Sequence, residues 1–203
     1  MAVSAKRERL IETAMRLFYT QGFHATGIDT IISEAGVARM TLYKHFKSKN
    51  DLILAVLQRR DEEFRAWFKS AVDASARRPR DKLLALFDVL EDWFTGKAFP
   101  EVGFAGCAFI NACAEFAAAD NPAHQMAAKH KRLLQDYVTN IARQARAPDP
   151  EGLAGDLMLL AEGAIVTMQV SRDEKAAQQA KRIAQRLLRE QFPEQRAQAE
   201  VPA

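Results

Sequence analysis

The stretch Ile28-Asp29-Thr30-Ile31-Ile32-Ser33-Glu34-Ala35-Gly36-Val37-Ala38-Arg39-Met40-Thr41-Leu42-Tyr43-Lys44-His45-Phe46 decides the fold. Before Gly36, the residues Ile28, Ile31, Ile32 and Ala35 recur at helical spacing, and after it Leu42 and Phe46 lie four apart. A sharp turn between two helices takes a residue free of β-carbon strain, which glycine at 36 supplies. The spacing therefore predicts one helix ending at Gly36 and a short second helix from about Arg39 to Phe46. Leu42 and Phe46 point inward, leaving Arg39, Met40, Thr41, Tyr43, Lys44 and His45 on the outer face.

Two short helices, a tight glycine turn and a polar, cationic outer face on the second helix are the requirements for entering a DNA major groove. The N-terminal end of such a helix approaches base edges. Arg39 and Thr41 are thus the first candidates for base contacts, Arg39 through two hydrogen bonds to guanine, and Met40 suits a thymine methyl. Tyr43, Lys44 and His45 suit phosphate, as do Lys49 and Thr26 at the starts of neighbouring helices, where free amides favour anions.

Working outward, a helix from Ala5 to Gln21 carries the stripe Leu10, Ala14, Leu17 and Phe18, and Gly22 stops it. Thr26 with Asp29 reads as a capping box for the next helix, and Ser48 with Asp51 as another, opening a long helix through Leu57, Phe64, Trp67 and Phe68 to about Val72. Pro79 suits a first helical position, and the following helix spans about Asp81 to Thr95. Gly96, Pro100 and Gly103 separate it from a sixth. Asn121-Pro122, Asp149-Pro150 and Ser171 with Glu174 cap three more, ending near Arg146, Val170 and Gln191, with a frayed tail from Pro193. Alternating β-branched runs are confined to very short stretches. The expected fold is all-α with about nine helices: an N-terminal three-helix helix-turn-helix DNA-binding domain over 1–50 and a C-terminal helical bundle over 51–203.

The composition fits this. The 203 residues are 48% hydrophobic and 27% charged, enough for a sizeable core and too apolar for disorder. Residues 1–55 hold eight Lys/Arg against five Asp/Glu, while the remainder balances at 21 against 21, so the basic excess sits in the first quarter of the chain. The start lacks the apolar run of a signal peptide, and no later stretch is expected to reach the roughly 18 apolar residues of a membrane span, which makes the cytoplasm the expected compartment. Cys107 and Cys113 are six apart, about 240° around a helix, and read as reduced core residues.

Gly22-Phe23-His24-Ala25-Thr26-Gly27-Ile28, Ala35-Gly36-Val37 and Thr41-Leu42-Tyr43-Lys44-His45-Phe46-Lys47-Ser48-Lys49 together resemble the TetR/AcrR regulators over about 50 residues. Ile32 departs from the pattern, which often carries alanine there. The resemblance implies a repressor that binds a palindromic operator as a homodimer and is released by a small-molecule effector held in the C-terminal domain. No cofactor, metal or membrane partner is implied.

Two sets of residues bear on that expectation. Phe64, Trp67, Phe68, Phe87 and Phe104 are aromatics suited to plain core or to a cavity wall, and Cys107, Asn111 and Glu115 follow at four-residue steps along one helix face, facing either a cavity or solvent. Leu157, Ala161 and Ala164, with Ile183 and Leu187, belong to apolar stripes that either close the monomer core or, as in the family, pair with a dimer mate. Two other functions stand beside that expectation. A helical enzyme needs a converging catalytic or metal set, yet His124 and His130 are six apart and no Glu-x-x-His pair occurs. A DNA-binding dimer with no effector fits the same N-terminal residues.

Overall fold

A computed structural model describes residues 4–193, so the tail expected to fray beyond Pro193 lies outside the described residues. Within them are nine helices and no strand: α1 (Ala5–Gln21), α2 (Ile28–Ala35), α3 (Arg39–His45), α4 (Lys49–Ser75), α5 (Pro79–Phe94), α6 (Ala108–Glu115), α7 (Pro122–Gln144), α8 (Pro150–Ser171) and α9 (Ala176–Gln191). The chain forms two compact units. Among the described residues, one unit holds those up to Arg65 together with Cys107–Lys131, and the other holds Ala66–Gly106 together with those from Arg132 onward.

Local chemistry sets the starts of α4, α5, α7 and α8. Ser48 Oγ accepts the N–H of Asp51 at 3.1 Å, as its capping-box spacing predicts. Asn121 Oδ1 accepts from Ala123 and Asp149 Oδ1 from Gly152, each at 2.9 Å, and Pro79 takes the first position of α5. Two expected caps fail. Gly27, rather than Thr26, is the N-cap of α2, and its capping position makes no side-chain hydrogen bond. Ser171 is the last residue of α8 instead of the cap of α9; the turn between them is closed by Asp173, whose side chain accepts the N–H of Lys175 at 2.9 Å.

In the first unit Leu10, Ile11, Ala14, Leu17 and Phe18 of α1 close over Ile31 and Ala35 of α2 and Leu42 of α3. The turn after α2 is fixed by Gly36, left-handed at φ 61°, with its N–H on Ser33 and the N–H of Val37 on the Ile32 carbonyl. A β-carbon at 36 meets nothing within 4 Å, so only backbone strain opposes one. Gly36→Ala is expected to cost about 1–2 kcal/mol, with Gly36→Asn costing less, read as urea-denaturation free energies. Equal stability of the alanine variant would show that the turn relaxes.

In the second unit α5, α8 and α9 pack on one another. The expectation that no segment reaches membrane-span length and apolarity fails for α8, whose 22 residues include a window of mean hydropathy 1.4. Part of its apolarity has a core explanation: Leu153, Ala154, Leu157, Met158, Ala161, Ala164, Ile165 and Met168 are all buried inside this unit.

Candidate nucleic-acid interface

The outer face of α3 is built as its pattern requires. Leu42 and Phe46 are buried, which orients the helix, while Arg39 and Lys44 are exposed, Met40 is 78% exposed and Tyr43 is 43% exposed. Thr41 and His45 are half-buried at the edges of the same face. A methionine that open on a surface helix has no core role, and its position beside Arg39 places an apolar contact next to a fork of donors.

Arg39 forms an ion pair with Asp29 of α2. Both partners are exposed, so the pair contributes little to stability and leaves the guanidinium available for exchange onto a base or phosphate. His45 Nε2 lies 3.5 Å from the Ser4 hydroxyl, and Arg7 stacks over the Phe46 ring at 5.3 Å, so the start of α1 braces the end of α3.

Two of the residues singled out for DNA are engaged at the α1–α2 turn, Thr26 buried and Lys49 half-buried. The Thr26 side chain is 1% exposed, and its hydroxyl donates to the Gly22 carbonyl at 2.7 Å, closing the α1–α2 turn. Lys49 Nζ donates to the His24 carbonyl at 3.1 Å; its partial burial pulls its pKa below the ordinary lysine value, opposed by the charge of Glu115. Both side chains hold the turn next to α2.

The aromatic and polar residues expected around a ligand divide between the units. In the second, Trp67 packs on Phe68 and Phe99, Phe68 meets Tyr137, Phe104 meets Trp93 and Phe94 edge-on at 5.0 Å, and Phe87 is fully buried. In the first, Phe64 packs edge-on to His130 at 5.7 Å. Cys107 is buried with its sulfur 3.5 Å from Lys131 Nζ, Asn111 is half-buried, and Cys113 is a half-buried thiol whose pKa burial pushes up. The Glu115 carboxylate binds the backbone of Phe23 and His24 instead of standing free in a cavity or in solvent.

Sequence reasoning missed a buried polar pair in the first unit. His130, 2% exposed, sets Nδ1 at 2.7 Å from Asp61 Oδ1 and stacks on Phe109, with centroids 3.7 Å apart. Asp61 also accepts two bonds from Arg65, at 2.8 and 2.6 Å. Burial would raise the Asp61 carboxyl, but the bonds from Arg65 and His130 outweigh it and hold the pKa below the ordinary value. The only sequence signal was an aspartate and an arginine four apart on α4.

Comparison with known proteins decides what this geometry belongs to. Residues 10–56 match the model of the TetR family of bacterial regulatory proteins, and residues 79–184 match the tetracycline-repressor-like C-terminal domain. The chain belongs to the TetR family of DNA-binding transcriptional regulators. Among curated relatives, the regulator YjdC of Escherichia coli K12 is 23% identical over 184 residues, 91% of this chain and 94% of its own. ComR, from the same organism, is 29% identical over 148 residues, 71% of this chain and 68% of its own. The solved structure of SCO4454, a TetR-family regulator of Streptomyces coelicolor, is 32% identical with a TM-score of 0.81, covering 92% of this chain and 95% of that one. In this TetR-family chain the first matched region spans all of α2 and α3, the helices whose outer face is described above.

The C-terminal region also changes where an apolar outer face lies. Leu157, Ala161 and Ala164 are buried within the second unit. The apolar side chains of α8 that remain open are Leu159 (75% exposed), Val166 (45%) and Val170 (77%), joined on α9 by Ile183 at 45% and a half-buried Leu187. Leu159, Gly163, Val166 and Val170 recur at steps of four, three and four, which is one stripe of a helix.

Proposed function

We propose that this regulator is a repressor that binds a palindromic operator as a homodimer and is released by a small molecule held in its C-terminal domain. The observation that carries the DNA half is the outer face of α3, where Arg39, Met40, Tyr43 and Lys44 stand in solvent while Leu42 and Phe46 anchor the helix. Arg39, Met40 and Thr41 read bases; Tyr43, Lys44 and His45 grip phosphate. Residues 1–50 form the reading head, and residues 51–203 serve effector binding and dimerisation. Repression is supported by ComR, which is named a transcriptional repressor. The homodimer is supported by the open α8 stripe Leu159, Val166 and Val170, since a second copy of the same stripe is its natural cover. The effector half is supported by the aromatic set of Trp67, Phe68, Phe87 and Phe104 in the C-terminal region.

Fluorescence anisotropy on a duplex selected from a random pool tests the DNA half. Arg39→Ala is expected to lose about 1–3 kcal/mol of discrimination at one base pair of each half-site, while Lys44→Ala weakens binding to all sequences alike and reduces the slope of log affinity against log salt by about one per half-site. Unchanged preference and slope in both variants would remove α3 from the interface. Raising salt also separates this reading from a helical enzyme, for which no phosphate-dependent slope is expected. For the effector, thermal shift against a small-molecule panel is expected to show a stabilised complex that releases the duplex; stabilisation with the duplex retained points to a DNA-binding dimer without an inducer.

A further inference from the structure

Glu115 is the last residue of α6, and its carboxylate lies at the turn between α1 and α2. Oε1 accepts the N–H of Phe23 at 2.8 Å; Oε2 accepts the N–H of His24 at 2.6 Å and lies 2.9 Å from His24 Nδ1. The next residue continues the contact, with the Phe116 ring 4.8 Å from the His24 ring and 5.8 Å from that of Phe23. All of these groups belong to the first compact unit.

The turn is shaped to admit that carboxylate. Gly22 adopts φ 92° and ψ 160°, a backbone conformation that is essentially glycine's alone, and a β-carbon there would stand 3.1 Å from Glu115 Oε1. On its other side the turn is held by Lys49 on the His24 carbonyl and by the Thr26 hydroxyl on that of Gly22. Burial would raise the Glu115 carboxyl, but the two amides and the His24 ring outweigh burial and keep it below the ordinary glutamate value, so it is ionised at neutral pH. Charge-assisted bonds of an anion to successive backbone N–H groups are the stronger kind.

We propose that Glu115 is a positioning residue for operator recognition: it fastens the α1–α2 turn, and through it the helix-turn-helix, to the end of α6. The head formed by α1, α2 and α3 is internally packed, and α1 stays tied to α4 by the Arg59–Glu8 ion pair, so releasing the turn loosens the head from α6 as one body without detaching it. The fraction of molecules in the DNA-competent orientation then falls, and apparent affinity falls with it. Glu115 touches no group of the α3 outer face, so the number of phosphate contacts made in the complex is unchanged.

The test compares wild type, Glu115→Gln and Glu115→Ala on the duplex that the wild-type protein selects, by anisotropy over a salt series and by hydrogen exchange of the Phe23 and His24 amides. Glu115→Gln keeps the volume and one acceptor and guards against a fold lost in the alanine variant. The expected result is at least a tenfold loss of operator affinity in Glu115→Ala and a smaller loss in Glu115→Gln, with the salt slope retained and exchange at residues 23 and 24 accelerated in the same order. Three outcomes overturn the proposal: unchanged amide exchange, faster exchange with operator affinity unchanged, or loss of binding in both variants accompanied by exchange accelerated throughout α1–α3. Failure of the wild type to select any duplex counts against the DNA reading itself and is seen before a variant is made.

Discussion

If the open stripe of α8 closes the proposed homodimer, Val166→Asp is expected to leave a folded monomer and to lower operator affinity by about a hundred- to ten-thousand-fold. The stripe formed by Leu159, Val166 and Val170 is open in the single chain. Across a two-fold axis the same patch meets itself, so one substitution places two carboxylates in one apolar contact. Burying either unpaired costs several kcal/mol, more than a small apolar patch returns. Val166 is 45% exposed, and the side chains that close the second unit, such as Leu157, Ala161 and Ala164, face the other way, so the monomer keeps its helices. The effect on DNA is large because two linked half-site contacts gain from effective concentration, and a monomer loses that gain without losing any contact of its own. Two recognition helices must also stand about 34 Å apart to reach successive major grooves, which a single chain cannot do. Light scattering after size exclusion reads the oligomer, and anisotropy on full and half operators reads the affinity. The discriminating pattern is equal binding of both duplexes by the variant against strong preference for the full site by wild type. A dimeric Val166→Asp with wild-type affinity would place the partner on another face.

What the sequence makes legible here is what short-range chemistry controls. The ends of α4, α5, α7 and α8 were readable because Ser48, Pro79, Asn121 and Asp149 act on backbone within three residues of themselves. The α3 face was readable because two buried side chains four apart leave little freedom for the rest. Thr26 was misread because the same residue type serves two ends: a hydroxyl before a helix satisfies either an amide ahead of it or a carbonyl behind it, and here it turns back to Gly22. Glu115 and His130 were beyond reach for another reason. Their partners lie 91 and 69 residues away, and helical periodicity tells which residues share a face but not which wall that face meets. The open stripe of α8 was hidden by its own composition. With apolar residues on nearly all sides of the helix, the pattern could not distinguish Leu157, which is buried, from Leu159, which is not.

The same hidden pair gives a large dependence on pH. Burial first, and the nearby charges of Lys131 and Arg65 next, lower the His130 pKa to about 4, against the opposing pull of Asp61. At neutral pH the imidazole is therefore uncharged, with its proton on Nδ1 donated to Asp61. In the unfolded chain the same ring titrates near 6.5, so as pH falls the unfolded state takes up a proton that the folded state refuses. The stabilisation due to the neutral ring is thus complete above about pH 6.5 and is lost progressively as pH falls toward 4, amounting to about 3 kcal/mol over the whole window. Asp61 acts in the same direction lower down, since its depressed pKa gives stability that disappears only when the carboxylate itself is protonated. Urea titrations at pH 7.5 and pH 5 are expected to differ by about 2 kcal/mol in wild type. His130→Asn keeps a donor for Asp61 but nothing that titrates; it should be less stable at pH 7.5, having lost the stack on Phe109, yet show about 2 kcal/mol less pH dependence. A His130 ring titrating near pH 6.5 by NMR, or an asparagine variant as acid-sensitive as wild type, would assign the acid response to other groups. His130 belongs to the compact unit that also carries α1, α2 and α3, so operator binding is expected to fall over the same window as the fold that supports it.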